Sequence, residues 1–148
     1  MDVVYDDYFI NLKKKIKDFL MKENEKYLFE KIVFLECIFS KLEENISLGV
    51  KYPNKVILDV KELENKMRVK NKDFSFFKDI INSIFDLSLD VDYPNGDFYH
   101  VRIISSHIIG EDNIYVTFSD AILEKKNDKG KIRRQKSIVI NLQKCIWR

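Results

Sequence analysis

Glycine and proline are scarce in this 148-residue chain, at four and two residues, and no internal repeat or low-complexity tract is present. Cysteine is nearly absent too. Cys37 and Cys145 lie far apart and cannot form a disulfide framework, so a reducing compartment is expected. Long apolar runs are missing. The longest, residues 32–39, is broken by Glu36 and is far too short to cross a bilayer. No basic-then-apolar leader opens the chain, so a soluble, cytoplasmic protein is expected, with no membrane partner. Bulk charge of one sign is also lacking. Lys and Arg number 26 against 24 Asp and Glu, and a net +2 does not identify a nucleic-acid binder by overall attraction.

Catalytic signatures are equally sparse. No CxxC, HExxH, P-loop or GxSxG spacing occurs. The two histidines, His100 and His107, stand seven apart on one expected strand. An odd separation sends them to opposite faces, which argues against a shared metal. Ser105, Ser106 and His107 are adjacent, and adjacent strand residues point apart. The expectation is a protein that is not an enzyme, with no cofactor and no metal site.

What the chain does hold is apolar and aromatic residues: 45% hydrophobic, with 11 Phe and 7 Tyr. Such a composition offsets ordering entropy and supports one domain over residues 1–148. Residues 2–22 read as an amphipathic helix, with Phe9, Leu12, Ile16 and Leu20 on one face and Lys13, Lys14, Lys15 and Lys17 elsewhere. A basic amphipathic helix suits a membrane surface or a partner, but more simply it covers a core with its lysines in water. Residues 27–44 form a second helix that is apolar nearly all round, and so belongs in the middle of the domain. Residues 45–54 read as a loop.

A strand is expected over 55–60, with Asp59 and Glu62 spaced as a capping box for a short helix to about Met67. Residues 68–72 form a basic turn. Asp73 caps a further helix, 74–86, whose outward residues include Ser75, Lys78 and Asn82. From Leu87 the period becomes two. Strands over 87–93, 98–109 and 114–118, separated by turns at 93–97 and 110–113, read as a three-stranded antiparallel meander. Residues 125–136 (KKNDKGKIRRQK) hold seven basic residues and one acidic, and one more strand is expected after them. The fold class is therefore α+β, a winged helix with additional N-terminal helices and a three-stranded antiparallel β-meander as the wing. Residues 1–54 are the N-terminal helical part, 55–123 the helix-turn-helix plus wing, and 124–148 a basic arm and terminal strand.

The segments KVILDVKELENKM, FFKDIINSIFDLSLDVD and HVRIISSHIIGEDNIYVTFSDAI carry a resemblance. Residues 55–123 resemble the N-terminal winged-helix domain of plasmid Rep-type replication initiator proteins. Members of that family have two winged helices, bind repeated origin DNA, dimerise as repressors and recruit host replication proteins. The resemblance implies double-stranded DNA, a second copy (a homodimer) and a host replication protein as partners. With one winged helix present, dimerisation and DNA-backbone contact are the roles it implies.

A winged helix places an outward helix face in the major groove and basic residues on phosphates. Lys61, Lys66, Arg68, Lys70 and Lys72, less Glu62 and Glu64, give residues 61–72 a net +3. Lys78 and Asn82 are the candidate groove residues. Lys129, Lys131, Arg133 and Arg134 are candidates for an arm along the phosphate backbone, or simply part of a solvated loop. Asp90, Asp92 and Asp97 would repel phosphate and favour a wing that faces protein. Two functions stand side by side. One is a non-catalytic DNA-binding and dimerisation module of a replication initiator or related repressor from a plasmid or phage. The other is a protein-interaction module, such as a small phage- or plasmid-encoded inhibitor on a similar scaffold. Joint exposure of Phe74, Phe76 and Phe77 would favour the second. A single face holding both basic clusters would favour the first.

Overall fold

The computed structural model describes residues 3–23, 26–92, 98–123 and 139–144. Helix α1 (Val3–Glu23) and helix α2 (Leu28–Leu48) come first, followed by strand β1 (Lys55–Asp59), helix α3 (Val60–Met67) and helix α4 (Phe74–Phe85). Strands β2 (Leu87–Asp92), β3 (Phe98–Arg102), β4 (Ile104–Ile109) and β5 (Asn113–Phe118) follow, then a helical turn α5 (Asp120–Leu123) and strand β6 (Val139–Lys144). The fold is mixed α+β, and every strand pairing is antiparallel. The expected basic arm, with Lys129, Lys131, Arg133 and Arg134, lies outside the described residues.

Helix α2 is central, as its apolar circumference requires. It packs against α1, β1, α3 and α4 and buries Phe34, Leu35, Ile38, Phe39 and Leu42. The Phe39 ring meets Phe9 of α1 edge-on at 6.3 Å and Phe118 of β5 at 5.3 Å, which joins three elements at one point. The helix runs past the expected end at 44 and stops at Gly49. There φ is 69°, and the amide donates to the Ile46 carbonyl. Glycine takes this left-handed backbone without a Cβ clash, so the helix can close its last turn here.

The strands form two sheets, ordered β1-β5-β4 and β3-β2-β6. The expected meander over 87–118 is therefore divided. Residues 98–109 are not one strand but two, broken at Ile103, and they belong to different sheets. The physical reason is burial. Ile103 and Ile104 are both 0% exposed, and consecutive residues of a straight strand face opposite ways. The chain must turn between them to bury both. Ile103 bridges the sheets through its backbone: its N–H donates to Leu87 O, and its carbonyl accepts from Ser119 N–H. The Ser119 hydroxyl also donates to the Arg102 carbonyl, which fastens the break.

Asn54 holds the start of β1 in place. It is buried, its side-chain amide nitrogen donates to Phe118 O (2.9 Å) and Asp120 Oδ1 (3.0 Å), and its backbone carbonyl accepts from Phe118 N–H. Asn54→Ala leaves the Phe118 carbonyl short of a buried donor, so a loss of about 2 kcal/mol is expected. A urea titration checks this through a lower midpoint at unchanged slope.

Candidate nucleic-acid interface

Helix α3 turns Val60, Leu63, Glu64 and Met67 inward and leaves Lys61, Glu62, Asn65 and Lys66 exposed. Asp59 precedes it in extended conformation but makes no side-chain cap bond, so the expected capping box is not formed. The first turn is held instead by the β4–β5 turn: Val60 N–H donates to Asp112 O. Helix α4 is capped as expected, with Asp73 Oδ1 accepting from Phe76 N–H at 3.0 Å. It buries Phe76, Phe77, Ile80, Ile81 and Ile84.

The turn between the two helices is shaped from inside. Glu64 is buried, and its Oε2 accepts the Lys72 amide at 2.9 Å. Arg68 ends α3 in the left-handed region at φ 62°, with its amide on Asn65 O. Two of the acidic groups in this segment, Glu64 and Asp73, thus accept backbone hydrogens, while the basic heads remain outside. The Arg68 guanidinium lies over the Phe29 ring at 5.7 Å, Lys72 Nζ over Phe76 at 5.3 Å, and Lys26 Nζ over Tyr27 at 4.8 Å. The Tyr27 and Phe76 rings touch at 5.0 Å, so Lys26 and Lys72 share one floor of aromatic rings, while Arg68 stands over the Phe29 ring. Cation–π contact of this kind orients the side chains while leaving their charge in water.

Not every candidate joins that floor. Lys72 does, and Arg68 and Lys70 are exposed on the same turn. Lys61 and Asn65 lie four apart on α3, on the stripe that leads to Arg68. Lys66 diverges. With Cys37, Ser40, Lys41, Glu44, Asp59 and Glu62 it lines a cleft of about 230 Å³ between α2, β1 and α3. Burial pushes the Cys37 thiol above its usual pKa, with Glu62 and Glu36 adding to the rise and Lys66 opposing it, so the sulfur stays neutral near pH 7. Lys78 and Asn82 lie on the outward side of α4 with Ser75 and Asp79, apart from the turn. Lys26 is the residue that sequence reading missed. It sits in a polar break, and only the Tyr27–Phe76 contact places it beside the turn.

Of the three phenylalanines that would have marked a protein interface together, only Phe74 is exposed, at 59%. Phe76 and Phe77 are 6% and 3% exposed. Asp90 of β2 also has a local role, because His100 Nδ1 meets its Oδ1 across the β2–β3 pair. Arg102 turns back to α4, donating to Phe85 O at 2.6 Å with its guanidinium 4.5 Å from the Phe85 ring.

His107 sits between β4 and α4 with its ring edge-on to Phe85 at 4.9 Å, and its buried Nδ1 has no hydrogen-bond partner among the described residues. Burial lowers its pKa first; Asp86 opposes this and Lys78 adds to it. A histidine whose folded pKa lies below its unfolded value stabilises fully above the unfolded pKa, and the contribution falls as pH drops towards the folded value. Wild-type protein should therefore lose more melting temperature between pH 7.5 and 5.5 than His107→Gln. Equal losses would remove His107 as the cause.

Among the described residues, no helix is long and apolar enough to cross a membrane. Comparison of the chain with protein-family models, with curated proteins and with solved structures finds no match.

Proposed function

We propose that this chain is a non-catalytic DNA-binding module of winged-helix type that holds the phosphate backbone, as in a plasmid or phage replication initiator or a related repressor. The carrying observation is the α3–α4 turn. Lys72 and Lys26 stand over the joined Phe76 and Tyr27 rings and Arg68 over Phe29, Lys70 and Lys61 are exposed nearby, and Glu64 and Asp73 are engaged by backbone amides. Fixed cations on a helix-turn-helix elbow suit phosphate oxygens. The order α2, β1, α3, α4 and then the β4–β5 hairpin, with β1 beside β5, supports the winged-helix reading.

Backbone contact is favoured over base reading. The outward stripe of α4 offers Lys78 and Asn82 but also Asp79, which phosphate would repel. The β4–β5 turn carries Glu111 and Asp112, so it does not act as a basic wing. A DNA partner places the protein where nucleic acid is, in the cytoplasm.

The test is a fluorescence titration against random-sequence duplex DNA. With about four phosphates neutralised, affinity should fall roughly 100-fold between 50 and 200 mM salt. No binding at the lower salt removes the proposal. A protein-interaction role keeps one supporting observation, the exposed Ile57, Tyr115 and Ile108 on the β1-β5-β4 sheet.

A further inference from the structure

Phenylalanine fills the core, as at Phe34, Phe39 and Phe118. Among the described side chains two phenylalanines depart from that pattern, Phe29 at 49% and Phe74 at 59% exposed. Both belong to the α3–α4 elbow. Phe29 lies under the guanidinium of Arg68, the residue that ends α3. Phe74 opens α4, two residues after Lys72 and four after Lys70. Each is two residues from the Tyr27–Phe76 ring contact, Phe29 on α2 and Phe74 on α4. The two exposed rings thus adjoin the floor that Lys26 and Lys72 share.

The backbone is constrained at the same place. Among the described residues, the non-glycine positions with positive φ are Tyr27 (65°), Arg68 (62°) and Asn71 (50°). Left-handed backbone crowds a Cβ, so it persists where surrounding contacts over-determine it. Tyr27 and Arg68 are tied by the ring contacts just named, and the Lys72 amide on Glu64 closes the turn beside Asn71. The surface is therefore set before any ligand arrives.

A duplex gives exposed rings little to hold. Its bases are stacked on one another, and it presents phosphates and groove edges. An unpaired strand presents phosphates and open base faces together, and an aromatic ring stacks on a base whatever its identity. We infer that the elbow takes single-stranded DNA, with bases stacked on Phe29 and Phe74 and phosphates on Arg68, Lys70 and Lys72. This rests on the reading of the elbow as a phosphate-holding surface and adds the form of DNA it selects. Electrostatics alone would favour the duplex, which carries more charge along its axis. A preference for the single strand is therefore the contribution of the bases.

Fluorescence anisotropy of the full chain at low salt tests it with three labelled probes of one length, about 20 nucleotides, which exceeds a typical single-strand site. They are an oligodeoxythymidylate strand, a random-sequence duplex, and a strand of abasic tetrahydrofuran phosphates. The thymidylate strand should bind about tenfold more tightly than either of the others. Phe29→Ala and Phe74→Ala should each weaken the thymidylate complex about tenfold and leave the other two within about twofold. Both side chains are exposed, so the circular-dichroism spectrum should not change. Phe74→Trp should keep the affinity, and its added emission should be quenched by the thymidylate strand and not by the abasic one. A thymidylate strand bound no more tightly than the abasic strand or the duplex, or alanine variants that bind it as wild type does, would overturn the inference while duplex binding left the DNA reading standing. Binding of the thymidylate strand without the duplex would keep the inference and remove the duplex reading. No binding to any of the three would remove both and leave the exposed rings to a protein partner.

Discussion

Replacing Phe39 by alanine is expected to destabilise the fold by about 3–5 kcal/mol, the range for a large buried aromatic. The ring is 1% exposed and holds edge-on contacts to Phe9 and Phe118. Removing it opens a cavity where α1, α2 and β5 meet, and three separate elements cannot all close on the gap. A loss of that size is a large share of a typical domain's total stability. Chemical denaturation reads it directly, with Phe29→Ala as the comparison. Phe29 is on the same helix but 49% exposed, and its loss should cost far less. Equal effects would mean that the centre of the core lies elsewhere.

The second large effect concerns binding. Reversing Arg68, Lys70 and Lys72 to glutamate should lower affinity for duplex DNA of any sequence by about 100-fold or more at low salt. The loss should be uniform across sequences, because phosphate contacts carry no base information. Stability should change by no more than about 1 kcal/mol, since all three side chains are at the surface. Lys78→Glu tests α4 separately. An effect there equal to that at the turn would move the contact from the elbow to the helix.

Much of this arrangement was legible from local patterns. The apolar circumference of residues 27–44 marks the central helix, and Asp73 followed by an apolar period marks α4 and its cap. The basic turn is a turn. What local patterns do not carry is tertiary. The capping-box spacing of Asp59 and Glu62 occurs without the bond, because Asp112 supplies a backbone carbonyl to the first turn of α3. The change of sheets at Ile103 depends on burying two neighbouring isoleucines against different partners, and alternation alone gave one long strand. The same is true of the candidate surfaces. The lysines of the turn are plain in the sequence, but Lys26 reaches them only through a ring contact between α2 and α4. Ile57 reads as part of a buried run, Val56 to Leu58, until the register sets it beside Tyr115 on the solvent face.

The cations on the α3–α4 elbow are the centre of the account, and the slope of log affinity against log salt counts the phosphates they neutralise. It should be measured on one random-sequence duplex for wild type and for the variant with Arg68, Lys70 and Lys72 all changed to glutamine. Each phosphate contact contributes about 0.9 to that slope, so the variant's slope should be shallower by about 2 to 3. Identical slopes for the two proteins would contradict the account, because the DNA would then be held by charges elsewhere on the chain.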